Sequence, residues 1–236
     1  MLLLAIVITA AAGYVLGSIQ WGVIISRMTR GVDVRDYGSG ATGTTNVIRT
    51  SGAKAGVAVM LLDIAKGVVP VYIGQGLGAA FDIEAKDDWA WASAAGAFAA
   101  VVGHCYPIFY GFRGGKAVAS GFGAALAMNP LAALAMVPVA AVIVGATRIM
   151  SVMSILMPPI VAGVFVVLAA LEVSPWAWAA YAIPTALLIV YRHQANIRRL
   201  LAGTEPKIGR GGEKKAEEYA ATGAGAGAGE PTPSGR

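Results

Sequence analysis

Seven long apolar runs, separated by short polar loops, constrain this chain more than any other feature. They cover residues 2–26, 55–79, 89–110, 117–128, 131–147, 152–171 and 175–191. A helix crosses the hydrocarbon core of a bilayer with about 20 apolar residues. Soluble domains carry about 25% charged residues, whereas this chain has 13%, with 57% hydrophobic residues and a mean hydropathy of +0.67. The expected fold class is an all-α integral membrane protein with seven transmembrane helices. The fourth run is short, and the Asn129-Pro130 pair after it is a break signal. That run is expected to draw part of the preceding glycine-rich loop into the membrane.

The loops set the orientation. Residues 27–54 carry Arg27, Arg30, Arg35, Arg49 and Lys54, and residues 111–116 carry Arg113 and Lys116. Arg148 follows the fifth run, and Arg192, Arg198 and Arg199 follow the last. By contrast, residues 80–88 are mostly acidic and residues 172–174 hold only Glu172. Seven spans put every basic loop on one side and both acidic loops on the other. The positive-inside rule then places the N-terminus outside and the C-terminus in the cytoplasm. The first run lacks the basic start of a signal peptide and reads as a retained helix. Residues 1–209 form the membrane domain. Residues 210–236, polar, Gly/Ala/Pro-rich and without periodicity, are expected to be a disordered cytoplasmic tail. Cys105 is the single cysteine, so there is no disulfide framework. His104 and His193 are too few for a multi-histidine metal site.

Three segments on the basic side carry chemistry. The first, GSGATGTTNVIR at 38–49, alternates Gly38, Gly40 and Gly43 with the hydroxyls of Ser39, Thr42, Thr44 and Thr45, and closes with Asn46 and Arg49. Glycines let backbone N–H groups turn toward an anion, and arginine grips phosphate with two parallel hydrogen bonds. A flexible polar linker would share the glycines and threonines. The second, GFRGGKA at 111–117, ends in Gly-Lys like a nucleotide-binding loop. Such a loop needs a glycine where Tyr110 stands and a hydroxyl where Ala117 stands, so this stretch is not a P-loop. Gly114, Gly115 and Lys116 instead suit a phosphate at the start of a helix, although basic residues also anchor helix ends at the interface. The third, at 191–209, places His193 and Asn196 on one helical face. Arg192, Arg198 and Arg199 there suit anionic lipid, and Glu205 suits a structural cap or ion-pair partner. Inside the second run Asp63 and Lys66 stand at i, i+3, a spacing that suits a structural pair neutralising itself or a role at the cytoplasmic mouth of a site. Ser151 and Ser154 follow Arg148 at the same membrane face, and His104 reads as a structural hydrogen-bonding group.

These segments resemble the bacterial acyl-phosphate:glycerol-3-phosphate acyltransferases. The likeness rests on GSGATGTTN with Arg49, on GH–P–GFRGGK, on RH–NI–RL–GTE after the last run, and on LD–KG at Leu62-Asp63 and Lys66-Gly67. It runs over nearly the whole chain to about Gly209. The resemblance implies transfer of a fatty acyl group from acyl phosphate to the sn-1 hydroxyl of glycerol 3-phosphate. It implies no cofactor, no metal and no nucleic acid, with the active site on the cytoplasmic face of the bacterial inner membrane. It assigns catalytic roles to Ser39, Arg49, Lys116, His193 and Asn196. It assigns substrate contacts to Gly114, Gly115 and Ser154 and a structural role to Glu205; the first loop's own donors make Gly38, Gly40, Thr42, Gly43, Thr45 and Asn46 expected substrate contacts, and their spacing makes Asp63 and Lys66 an expected structural pair. This chain differs from the family pattern at Gln20, where proline often stands, and at Ala41, usually asparagine. It differs also at Thr44, usually alanine, and at Ala117, usually glycine. An acyl-CoA enzyme with a His-x4-Asp motif is excluded, because Phe109 and Arg198 stand five residues after the histidines. An anion transporter would share the glycine loops but needs a polar path through the bilayer, whereas the polar groups here gather at one face.

Overall fold

The computed structural model describes residues 1–83 and 87–208. Among these residues the secondary structure is entirely helical. The helices are α1 (Leu2–Gly17), α2 (Trp21–Arg30), α3 (Thr44–Ser51), α4 (Ala53–Ala80), α5 (Asp88–Cys105), α6 (Val118–Met128), α7 (Pro130–Thr147), α8 (Met150–Ala170), α9 (Trp176–Arg192) and α10 (Gln194–Leu201). Short 3-10 turns sit at Val34–Asp36 and Ile108–Tyr110. Among the described residues five segments are long and apolar enough to cross a membrane: Leu2–Arg30, Ala53–Ala80, Asp88–Tyr110, Pro130–Thr147 and Met150–Ala170. The expected tail, 210–236, lies outside the described residues.

The first apolar run is not one helix, as its hydropathy suggests, but two. The chain breaks at Ser18–Gln20, where Gln20 leaves helical geometry at φ −96°, ψ 85°. A break frees carbonyls, and buried carbonyls need donors. Lys66 Nζ, on α4, supplies them to the Gly17 and Ile19 oxygens at 3.1 and 2.8 Å. Its ammonium also lies 3.0 Å from Asp63 Oδ1, with both side chains buried. The third run likewise stops as an α-helix at Cys105 and turns through Pro107. The break read at Asn129-Pro130 is present: α6 ends at Met128, and the Asn129 carboxamide oxygen accepts from Ala132 N–H at the start of α7.

Small residues bring α1, α4, α5 and α6 together almost backbone to backbone. A Cβ at Gly13 or Gly17 would run into the Gly96 or Ala100 backbone of α5, and one at Gly67 or Gly123 into the α6 or α4 backbone. Close approach of this kind is how helices gain packing energy in lipid, where burial of apolar surface offers little drive. In α7, by contrast, only Ala133 is buried, so this helix stands at the edge of the bundle.

Candidate active site

The loops at one end of this bundle are knotted together by hydrogen bonds. Arg35 Nη1 donates to the Tyr110 carbonyl at 3.1 Å, and its guanidinium lies 5.5 Å from the Tyr110 ring centre. Thr42 Oγ1 donates to Gln20 Oε1 at 2.6 Å, and the Gln20 amide faces the Gly17 and His104 carbonyls at 3.4 Å. Gln20 thus joins the α1–α2 break, the end of α5 and the first glycine loop. Gly115 N–H closes the second loop onto the His104 carbonyl at 3.0 Å.

Between these loops and α10 lies a cleft of 220 Å³, walled by Ser39, Gly40, Ala41, Gly114, Lys116, Arg192, Ala195, Asn196 and Arg199. The three chemistry-bearing segments of the sequence therefore meet in one place. Lys116 Nζ donates to Asn196 Oδ1, Asn196 Nδ2 donates to Glu205 Oε1 at 2.6 Å, and Arg199 Nε donates to Glu205 Oε2 at 2.6 Å. Glu205 thereby holds both an amide and a guanidinium of the wall. Burial raises the Glu205 carboxyl pKa, but hydrogen bonds from Asn196, Ser151 and Arg199 hold it below its ordinary value. Lys116 is pulled down to about 8, first by burial and then by the Arg199, Arg192 and Arg49 cations, against the pull of Glu205. That coupling puts Arg49, exposed on α3, within electrostatic reach of the cleft.

Other expected site residues stand behind the wall rather than on it. Asn46 is buried, and its amide donates to the Val34, Tyr37 and Ala41 carbonyls at 3.0, 3.0 and 2.9 Å. Its oxygen accepts from Ser39 N–H at 3.2 Å. Asn46 therefore shapes the loop that carries Ser39, in which Gly38 and Gly40 take the left-handed φ values of 58° and 68°. Thr42 and Gly115 are buried in the scaffold, Gly43 caps α3, and Thr45 is exposed in the first turn of that helix. His193 is buried at the α9–α10 junction, with Nδ1 2.7 Å from the Ile189 carbonyl. A carbonyl only accepts, so Nδ1 carries the proton and Nε2 is the bare nitrogen. Burial, with Lys116 and Arg192 adding to it, brings its pKa to about 4 against the Ile189 bond and Glu205, so the ring is neutral near pH 7. Ser154 turns its hydroxyl to the Met150 carbonyl of its own helix at 2.9 Å. Ser154→Ala should leave kcat/KM within about twofold of the parent, measured as acyl transfer.

Arg192 and Arg199 are wall residues that sequence reasoning assigned to lipid. Their signal was position: one precedes His193, and the other lies one turn beyond Asn196. Ala117, just after Lys116, has φ 60°, ψ 17° and is buried. A left-handed backbone costs a residue with a Cβ about 1–2 kcal/mol, which accounts for the glycine usual there. Ala117→Gly should raise the thermal midpoint in detergent, since that relief exceeds the roughly 0.4–1 kcal/mol of chain entropy that glycine adds to the unfolded state. A lower midpoint would show that packing of the buried methyl outweighs the strain.

Comparison with known proteins bears directly on this arrangement. Residues 7–203 match the family model described as glycerol-3-phosphate acyltransferase. A curated glycerol-3-phosphate acyltransferase of Anaeromyxobacter sp. (strain Fw109-5) is 45% identical over 202 residues, covering 85% of this chain and 95% of that protein. One from Rippkaea orientalis is 41% identical over 207 residues, covering 87% and 94%. The solved structure of PlsY (YgiH), an integral membrane glycerol 3-phosphate acyltransferase, in its glycerol 3-phosphate form has a TM-score of 0.75 at 37% identity. It covers 86% of this chain and 95% of that one. The lysophosphatidic acid form of PlsY gives a TM-score of 0.73 at the same identity and coverage. Similarity of this extent, in sequence and in backbone, spans the helices and all three loops of the cleft together, and the chain belongs to the glycerol-3-phosphate acyltransferase family.

Proposed function

We propose that this protein transfers a fatty acyl group from acyl phosphate to the sn-1 hydroxyl of glycerol 3-phosphate, the first acylation of phospholipid synthesis. The observation that carries this reading is the cleft, where a hydroxyl, glycine backbone and the cations of Lys116, Arg192 and Arg199 converge in a member of this family. Both substrates bear phosphate, and such a wall recognises phosphate. The substrate hydroxyl oxygen attacks the acyl carbonyl carbon, the carbon–oxygen bond to phosphate breaks, and the products are lysophosphatidic acid and inorganic phosphate. Lys116 and the glycine backbone hold glycerol 3-phosphate, while Ser39 and Arg49 hold and polarise the acyl phosphate. Asn196 orients the Lys116 ammonium. Stabilisation of the developing oxyanion and of the leaving phosphate supplies the larger share of the catalysis.

The proton of the attacking hydroxyl goes to a phosphate oxygen. A phosphate monoester has its second pKa near 6, so its dianion is a stronger base than an imidazole held at about 4. His193 is then an orienting group. Gly38, Gly40 and Gly43, with Thr42, Thr45, Asn46 and Gly115, give the loops their shape.

Seven spans, with the cleft in the cytoplasm of a bacterial inner membrane, are part of the same proposal. α6, at 11 residues, rises about 16 Å, and α9 has 17 residues; both complete the alternation begun by the five longer segments. In that alternation the end of α2, the start of α6 and the end of α9 fall on one face, as the cleft requires. The purified protein should release phosphate from acyl phosphate only with glycerol 3-phosphate present, forming one lysophosphatidic acid per phosphate. Phosphate without lysophosphatidic acid would mean a hydrolase. Neither product would mean a transporter or a lapsed enzyme, with Ala41 in the cleft wall the first suspect.

A further inference from the structure

The guanidinium of Arg192 does something a lipid anchor would not. Nε donates to the Gly115 carbonyl and Nη2 to the Gly114 carbonyl, each at 3.2 Å. Its plane is supported by the Tyr106 ring, whose centre lies 5.1 Å away. The Tyr106 carbonyl is itself held by Tyr14 Oη at 3.0 Å. Two successive carbonyls are thus collected by one edge of a planar fork, a geometry that a lysine, as a point donor, does not reproduce.

The clamp sits where the backbone most needs one. Gly114 and Gly115 lose more conformational freedom on ordering than any other residue type. A Cβ at Gly114 would meet the His104 carbonyl, and one at Gly115 would meet the His104 ring edge and Thr42 Oγ1. The same closeness that requires glycine leaves the segment without side chains to hold it. The Gly114–Gly115 peptide is pinned on both edges, its oxygen by Arg192 and its N–H by the His104 carbonyl. The Gly115–Lys116 peptide is pinned through its oxygen by Arg192. In a trans peptide the Lys116 N–H then points away from Arg192, and the direction in which the lysine leaves the backbone is set.

We propose that Arg192 is a positioning residue, clamping the Gly114 and Gly115 carbonyls so that Lys116 is presented to the phosphate of glycerol 3-phosphate. This rests on the acyl-transfer reading above. Misplacing a binding group by about 1 Å costs on the order of 100-fold. Arg192→Gln and Arg192→Met should therefore lower kcat/KM for glycerol 3-phosphate by about 30- to 100-fold, with the KM for acyl phosphate changed less than about threefold. Arg192→Lys should recover less than a tenth of the loss, because the charge returns without the fork. Tyr106→Leu, which leaves the clamp but removes its support, should give a smaller loss of the same kind.

The experiment is steady-state acyl transfer by each variant in detergent, with both substrates varied and thermal midpoints recorded. Full activity in Arg192→Lys would overturn the proposal in favour of a bare cation. An equal loss toward both substrates would overturn it in favour of a general structural role. If the glutamine and methionine variants fail to fold, the lysine and Tyr106 variants decide between the same outcomes. A parent enzyme that forms no lysophosphatidic acid would instead sink the acyl-transfer reading, and that control is read before any variant.

Discussion

Lys116→Met should lower kcat/KM for glycerol 3-phosphate by about 100- to 1000-fold, the loss typical when one preorganised donor to developing or transferred charge is removed. The lysine is held at the cleft by Asn196 and feels the positive charges of Arg199, Arg192 and Arg49. Those cations leave its charge under-compensated until a phosphate arrives. With its pKa at about 8 in the free enzyme, kcat/KM should fall as pH rises through that value, because the ammonium is the binding form. The same titration has the opposite sign for stability. The folded lysine gives up its proton before the unfolded one, whose pKa is near 10.5. The folded state therefore bears the full penalty below about 8, and stability rises between about 8 and 10.5. Lys116→Arg, which does not deprotonate in this range, should move the alkaline fall in kcat/KM upward while retaining measurable turnover. A fall that stayed near pH 8 in that variant would assign the titration to another group.

What could be read from the sequence, and what could not, divides along a physical line. The Asn129-Pro130 break was legible because both residues carry their own backbone preferences. The meeting of three polar segments was legible because charge sign sorts loops to one face. The break at Ser18–Gln20 was not, because its freed carbonyls are satisfied by Lys66, far along the chain, and hydropathy registers neither partner. Lys116 stood out beside two glycines in an apolar chain. Arg192 did not, since a basic residue at a helix end has an interfacial explanation and its partners are backbone oxygens that no side-chain pattern names. Asn46 shows the same limit: an amide among glycines and hydroxyls reads as a ligand, whereas its donors are taken by the carbonyls of its own loop.

Lys66→Met should destabilise the protein by about 3–5 kcal/mol, the cost of leaving one partner of a buried ion pair without its counter-charge. Asp63 and Lys66 are 2% and 3% exposed and 3.0 Å apart. His104 Nδ1, 3.7 Å from the same carboxylate oxygen, is too distant to replace an ammonium at 3.0 Å. The lysine has a second function, though, that the ion pair alone does not describe: it satisfies the Gly17 and Ile19 carbonyls at the helix break. The two roles separate in a double variant. Asp63→Asn with Lys66→Met removes the stranded charge but takes the ammonium from the Ile19 carbonyl and leaves the Gly17 carbonyl only the 3.4 Å bond from the Gln20 amide, a cost of about 1–3 kcal/mol for a buried group left unpaired. Its thermal midpoint should lie between those of the parent and Lys66→Met. Asp63→Asn with Lys66→Gln, which returns one donor, should lie higher again. If the asparagine–methionine pair matched the parent, Lys66 would be an ion-pair partner only. The ordering expected here makes it the cap of the α1–α2 break, and through Gln20 and Thr42 a support of the glycine loop at the cleft.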